Sequence, residues 1–155
     1  DDDTFISLPQ RVAIANAHPG ALFVSIHFNS ALRRGADGTE TFYYNRKAAP
    51  VAVRIQKQLA RVNGNENRGV KRRGYYVLRK TRIPAVLAEC AFLTNPQEAV
   101  RCQAAAHRQA LASAIYRGIK PSLPAKVEPQ KDAKDTKSTK GVSDVDFDRL
   151  DISII

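Results

Sequence analysis

The stretch from Leu22 to Ser30, read LFVSIHFNS, constrains the fold more than any other part of the chain. Its apolar residues are the β-branched and aromatic types of a strand buried on both faces, because such strands are continuous apolar runs. His27 and Asn29 come where this strand is expected to end. Ligands of open α/β sheets bind at the carboxyl ends of strands, so His27 has the position of a ligand or a catalyst. The alternative is a histidine that only hydrogen-bonds a backbone carbonyl.

Length and charge limit the classes to which the chain can belong. Its 155 residues suffice for one domain with a substantial core, and no long uncharged apolar segment could span a membrane. The net charge is +10, with +11 on residues 1–120 and −1 on residues 121–155. A surface this basic attracts polyanions such as nucleic acid, anionic lipid or an acidic wall polymer. No regular basic helix or nucleic-acid motif accompanies the charge, so a solvated basic surface is the alternative.

Hydrophobic periodicity predicts alternating helices and strands. Helices with a proline in the first turn are expected at Pro9 to Ala17, Ala48 to Val62 and Pro96 to Gly118. Strands are expected at Leu22 to His27, Thr39 to Tyr44, Tyr75 to Leu78 and Pro84 to Glu89, and the basic segment from Glu66 to Gly74 is expected to be a loop. This order predicts a single-domain α/β fold, with a largely parallel or mixed sheet flanked by helices on both faces.

The composition changes after Ile119. Prolines and a run of Lys, Asp, Ser and Thr cannot bury enough apolar area to order themselves, so residues 120–155 are predicted to be a flexible linker. The end, Val145 to Ile155, alternates polar and apolar residues and is a candidate for a short edge strand. The folded domain is therefore expected to cover residues 1–119.

A second apolar run ends in a carboxylate, as the first ends in an imidazole. This run is PAVLAE, from Pro84 to Glu89, and its end can meet His27 at one edge of a parallel or mixed sheet. Imidazole is a good zinc ligand, and a carboxylate beside a metal-activated water is a good general base. A salt bridge to one of the many arginines is the alternative for Glu89, although an acid among apolar residues is costly unless it is used or paired.

Four segments carry a resemblance to a known family over roughly residues 4 to 119. They read DTFISLPQRVAIANAHPGALFVSIHFNS, GTETFYY, RGV followed by YYVLR, and PAVLAECAFLTNPQEA. In order and spacing these segments resemble the zinc-dependent N-acetylmuramoyl-L-alanine amidases of the amidase type 3 family. The resemblance implies a single α/β domain, a zinc ion, and cleavage of the amide between the muramic acid lactyl group and the first alanine of the stem peptide.

The resemblance also implies roles for single residues. His27 matches the histidine of the Ser-Ile-His block, a zinc ligand, and Glu89 matches the acid of the Leu-x-Glu block, the general base. Phe28 stands where a small residue is usual and adds bulk near the metal, whereas Ala91 stands where glycine is usual. Neither change removes a functional group.

The family takes two further zinc ligands from sequence upstream of Asp1, so the chain is expected to lack the family's first strand and helix. His18 and His107 do not match ligand positions, and the family does not assign Glu40 to the metal. Since catalytic zinc sites use three protein ligands, the chain as given is expected to bind zinc poorly and to be inactive alone.

Partners and location follow from the same resemblance. Peptidoglycan is the expected partner, with other anionic wall polymers as a further possibility, and export to the periplasm or the cell wall is expected. The alternative from another class is a non-catalytic peptidoglycan-binding module, or pseudoenzyme, that has lost the metal. No nucleic-acid partner is expected, because only the charge favours one.

Overall fold

A computed structural model describes residues 5–64 and 66–123 of the chain. It contains five helices within those residues: α1 (Leu8–Asn16), α2 (Ala49–Asn63), α3 (Tyr76–Lys80), α4 (Pro96–Gln103) and α5 (Ala105–Ile119). The strands of this part of the chain are β1 (Phe23–Asn29), β2 (Thr39–Tyr43), β3 (Asn67–Arg72) and β4 (Ala85–Phe92). Short 3₁₀ turns precede α2 and follow α5.

The four strands form one mixed sheet in the order β1-β4-β2-β3. β1 runs parallel to β4, and β2 runs parallel to β3, whereas β2 and β4 are antiparallel. The carboxyl ends of β1 and β4 therefore meet the amino end of β2 at one edge of the sheet. This edge is where the predicted site residues lie.

Each face of the sheet carries its own apolar core, and β4 contributes to both by alternation. Val86, Ala88 and Cys90 pack with α2 and α5 on one face. Ala85 and Leu87 pack with α1 and α3 on the other. The prediction of an α/β domain with a mixed sheet covered by helices on both faces is confirmed.

Two predictions about the secondary structure of residues 66–78 are wrong. The segment expected to be a loop, residues 66–74, contains edge strand β3, whose charged side chains are tolerated because an edge strand faces solvent. The segment expected to be a strand, Tyr75 to Leu78, lies in α3 and its N-cap. Its aromatic residues favour a strand by propensity, but the successive buried residues Val77 and Leu78 are accommodated by one helical turn against α1 and the sheet.

The long helix predicted from Pro96 to Gly118 is two helices. Ala104 has an extended backbone (φ −73°, ψ 122°) that ends α4 and begins α5. The guanidinium of Arg108 donates to the carbonyls of Cys102 (2.9 Å) and Gln103 (2.6 Å), which satisfies acceptors left free at the break. The Asn95 side chain caps α4, because its oxygen accepts from the backbone N–H groups of Gln97 and Glu98.

The last described residues overlap the beginning of the predicted linker, residues 120–155. Lys120–Ser122 form a 3₁₀ turn that continues α5, and the rest of the predicted linker and edge strand lies outside the described residues. Cys90 and Cys102 are both buried, and neither forms a disulfide bond within the described residues. Within residues 5–64 and 66–123, no helix is long and apolar enough to cross a membrane.

Candidate active site

Three ionisable residues lie side by side on three neighbouring strands. His27 of β1 pairs in register with Glu89 of β4, and Glu89 pairs in turn with Glu40 of β2. The sequence places His27 and Glu89 at strand ends, and the sheet brings these two ends together. Glu40 joins them because β2 is antiparallel to β4, so the beginning of β2 lies where β1 and β4 end.

All three side chains belong to the face of the sheet that α1 and α3 cover. Phe23, Leu87 and Phe42 pack in the core of that face, and side chains an even number of residues further along the same strand point the same way. α1 and α3 pack their apolar residues against the apolar end of this face. The charged end stays open, so that His27 is exposed and Glu89 is half-buried.

Glu89 has the environment of a proton-transfer group. Burial, and then the negative charge of Glu40, raise the pKa of its carboxyl to about 7. Among the described residues, no group donates a hydrogen bond to the buried Oε2 atom of Glu89. A buried carboxylate oxygen without a donor is costly, so this atom is available to an incoming ligand or water.

Glu40 is, by contrast, fully engaged. The Asn29 amide donates to its Oε1 atom at 2.9 Å, Lys71 forms an ion pair with Oε2, and the Arg68 guanidinium lies 3.9 Å from the same oxygen. Glu40 thus places a paired carboxylate beside Glu89 and links β1, β2 and β3. Its surroundings give it the role of a positioning residue.

A bulge in β3 allows two cations to reach one carboxylate. Asn67 pairs with Thr39 and Val70 pairs with Thr41, so two residues of β3 oppose Glu40 alone. Gly69, in this bulge, has a φ of 79°, a backbone conformation that favours glycine. Arg68 and Lys71 are three residues apart and would face opposite sides of a regular strand, but the bulge turns both toward Glu40.

His27 carries a neutral imidazole at neutral pH. Partial burial of the ring, and then the nearby Arg11 guanidinium, lower its pKa. The Nε2 atom lies 2.7 Å from the Ser25 hydroxyl, which lies on the same face of β1. A neutral imidazole whose one nitrogen is held by a hydroxyl can present the other nitrogen to a metal ion.

The other candidate ligands lie elsewhere. His18 is exposed in the loop after α1, and His107 is half-buried on α5. In the part of the chain that the structure describes, no group of three or more His, Cys, Asp or Glu side chains is arranged to hold a metal ion. The described residues therefore provide one imidazole and two carboxylates at the open edge, without a complete ligand set.

A polar depression of about 320 Å³ opens beside Glu40. We call it the basic groove, and its charged and aromatic lining consists of Glu40, Phe42, Arg68, Lys71, Arg73, Tyr75 and Phe92. Tyr75 packs edge-on against Phe42, with ring centroids 5.1 Å apart, and the Arg68 guanidinium lies over the ring of Phe92. The cations of this groove come from the segment that the sequence predicts as a loop, so the sequence does not predict their placement beside Glu40.

Glu98 holds the far end of β4 in place. This carboxylate, 1% exposed, accepts from the backbone N–H of Phe92 and, at 3.1 Å, from that of Gly38. Gly38 has a φ of 103°, and a Cβ atom there would lie 2.0 Å from the Glu66 carbonyl oxygen, so only glycine fits. Glu98 therefore joins α4, the end of β4 and the turn that leads into Glu40.

The fold is an α/β domain with a mixed four-stranded sheet whose strand ends form an open, charged edge. Residues 1–121 match the family model described as N-acetylmuramoyl-L-alanine amidase. The chain therefore belongs to the N-acetylmuramoyl-L-alanine amidase family, in agreement with the resemblance of its strand-end segments.

Two curated proteins and one solved structure are similar to this chain. The chain is 40% identical over 122 residues to the uncharacterized protein YqiI of Bacillus subtilis, covering 76% of this chain and 59% of that one. It is 37% identical over 121 residues to the N-acetylmuramoyl-L-alanine amidase LytC of B. subtilis, covering 76% of this chain and 24% of LytC. The catalytic domain of CwlV, an amidase from Bacillus (Paenibacillus) polymyxa var. colistinus, superposes with a TM-score of 0.74 at 35% identity, over 77% of this chain and 67% of that domain. The chain thus spans less than two thirds of the length of both curated relatives.

Proposed function

We propose that this protein is a zinc-dependent N-acetylmuramoyl-L-alanine amidase. It would cleave the amide between the lactyl group of muramic acid and the L-alanine of the stem peptide, as a hydrolase that remodels the cell wall. The observation that carries the proposal is the pairing of His27 with Glu89 at the open edge of the sheet, in a chain of the amidase family.

Glu89 is proposed as the general base. A base works best when its pKa lies near the working pH, and that of Glu89 is raised to about 7. Its Oε2 atom, which lacks a donor among the described residues, would take the proton of the attacking water. The water oxygen would bond to the lactyl carbonyl carbon, and the same carboxyl would return the proton to the alanine nitrogen as the C–N bond breaks. The products would be a lactyl carboxylic acid and a stem peptide with a free amine.

His27 is proposed as a zinc ligand. Bound zinc supplies Lewis acidity that polarises the amide carbonyl and makes water more acidic. The imidazole of His27 is exposed and neutral, as a zinc ligand must be. The Glu89 carboxylate on the neighbouring strand is suited to lie beside a zinc ion. Because the described residues do not assemble three ligands, the remaining ones would have to come from residues outside the described ranges.

The proposed site of action is the cell wall, with peptidoglycan as the partner. The relative LytH of Staphylococcus aureus, 31% identical over 119 residues, is named a probable cell wall amidase. Export to the wall or the periplasm follows from the location of this substrate. The basic surface is suited to the anionic polymers of such an environment.

One observation favours a second candidate, a non-catalytic peptidoglycan-binding module. The described residues lack a complete set of metal ligands, and a domain without its metal could retain the surface that recognises the wall. The two candidates make different predictions about zinc and about bond cleavage.

Product analysis tests the proposed reaction directly. The full-length protein is incubated with purified peptidoglycan, and the soluble products are analysed by mass spectrometry. The expected products are stem peptides that begin with a free L-alanine amine, together with intact glycan strands. Binding without release would favour the non-catalytic module, and cleavage within the glycan would contradict the amidase.

Zinc content tests the role of His27. In the full-length protein, His27→Ala should lower the zinc measured by elemental analysis far below one ion per molecule, because a site that loses one of its three ligands binds weakly. His18→Ala is the matched control, since His18 is exposed and lies outside the site. Wild-type zinc content in His27→Ala would refute its role as a ligand.

A further inference from the structure

The basic groove begins where the proposed reaction centre ends. Glu40 belongs to both, since it pairs in register with Glu89 and lines the groove. A substrate whose amide lies at Glu89 would therefore extend into the groove with one of its two sides. The lining of the groove shows which side fits.

The cations of the groove differ in whether a carboxylate lies within ion-pair distance of them. Lys71 and Arg68 share the Glu40 carboxylate, and Arg68 also bonds Glu66 at 2.8 Å. Among residues 5–64 and 66–123, no carboxylate lies within ion-pair distance of Arg73, whose Nη1 atom donates only to the Arg72 carbonyl. One guanidinium of the groove is thus exposed and has donors available for a ligand.

Aromatic contacts orient the side chains of the groove walls. Tyr75 meets Phe42 at an angle of 87°, and the Arg68 guanidinium lies 5.0 Å from the centre of the Phe92 ring. These contacts fix Tyr75 at the start of α3, two residues after Arg73. A preorganised wall lowers the conformational entropy that binding costs.

We propose that the basic groove binds a free carboxylate of the stem peptide, with Arg73 as the cation that recognises it and Tyr75 as the adjoining wall. This inference rests on the proposed function and adds a specificity determinant to it. The sugar side of the scissile amide carries neutral hydroxyl and acetamido groups, whereas the peptide side carries carboxylates. A guanidinium binds a carboxylate through two parallel N–H donors, so the peptide side fits the groove.

The mixed charge of the groove favours a carboxylate over a phosphate polymer. Glu40 lies among the three cations and would repel a row of closely spaced anionic groups. A peptide with single carboxylates separated by apolar and amide groups can place one charge at Arg73 and rest against the rings of Tyr75 and Phe92.

Binding measurements test this inference without turnover. The probes are N-acetylmuramoyl-L-alanyl-D-glutamate, with both glutamate carboxylates free, and its diamide. Titration calorimetry with the full-length Glu89→Gln protein should show tighter binding of the diacid than of the diamide. Arg73→Ala, in the same background, should weaken diacid binding about tenfold and leave diamide binding within about twofold, as expected for the loss of one charge-assisted contact.

Two further variants separate recognition from general charge. Arg46→Ala removes an exposed cation outside the groove and should leave the diacid-to-diamide ratio unchanged. Arg73→Lys should recover part of the ratio, because it restores the charge but not the planar pair of donors.

The outcomes decide the inference separately from the proposed function. An equal loss of affinity for both probes in Arg73→Ala, or no loss, would overturn it. Tighter binding of a short poly(glycerol phosphate) than of the diacid would assign the groove to a phosphate polymer and also overturn it. If the ratio falls as expected but the wild-type protein releases no stem peptide, the inference stands and the proposed hydrolysis fails.

Discussion

Glu89 and Glu98 are two acids of neighbouring elements, and the protein uses them in opposite ways. Glu98 is fully buried and its oxygens accept from the backbone N–H groups of Gly38 and Phe92, with Arg101 3.6 Å away. Glu89 is only half-buried, yet one of its buried oxygens has no donor among the described residues. The more deeply buried acid is therefore the better satisfied one.

This difference separates a structural acid from one kept for chemistry. Donors built into the backbone compensate the desolvation of Glu98, which then joins three segments. Burial of Glu89, and then the neighbouring charge of Glu40, raise its pKa to about 7, and among the described residues no donor compensates its buried Oε2 atom. The partners of a buried carboxylate indicate its use better than its burial does.

The largest effect is expected when Glu89 is changed. Glu89→Gln keeps the shape of the side chain but cannot accept a proton, so kcat should fall by about 10²–10⁴-fold. Zinc content and the free energy of unfolding should not fall, since no hydrogen bond to the Oε2 atom is lost. Steady-state release of stem peptides measures the rate. A kcat within tenfold of the wild-type value would show that Glu89 is not the general base.

The next largest effect concerns stability. Glu98→Gln places an amide N–H₂ group against a backbone N–H and weakens the pairing with Arg101, so the free energy of unfolding should fall by about 2–4 kcal/mol. Urea denaturation measures this change. Glu66→Gln is the control, because Glu66 is an exposed partner of Arg68 and should cost about 1 kcal/mol or less. If both variants lost the same free energy, Glu98 would not differ from a surface acid.

The sequence predicts the two site residues that can be recognised from their own segment alone. His27 and Glu89 each end an apolar run, and the end of a buried strand in an α/β fold is a recognisable place for a functional group. The fold class, the first two helices and the core strands β1 and β4 follow from the same hydrophobic patterns. These features depend on burial along one segment at a time.

Other features depend on how segments meet, and the sequence does not reveal them. Glu40 reaches the site only because β2 runs antiparallel to β4, and a strand's direction is set by its connections and packing. β3 resembles a loop because its charges line an open groove, and Gly69 resembles a loop glycine although it forms the bulge. Glu98, in the first turn of α4, has the position of an ordinary acid that complements the helix dipole.

The smallest expected effect is a pH dependence that only Glu89 should show. Its pKa is about 7 in the folded protein and 4.5 in the unfolded chain, so the folded state binds more protons between these values. The stability that this difference provides is complete below pH 4.5 and is lost as the pH rises through 7. Allowing for partial exposure, the loss for metal-free wild-type protein should be about 1–2 kcal/mol more than for Glu89→Gln. Urea unfolding at pH 4.5 and at pH 7, with a chelator present, measures this loss of stability. His27 titrates in both proteins, so its contribution cancels when the wild type is compared with Glu89→Gln. An equal pH dependence in the two proteins would mean that Glu89 is as well satisfied as Glu98.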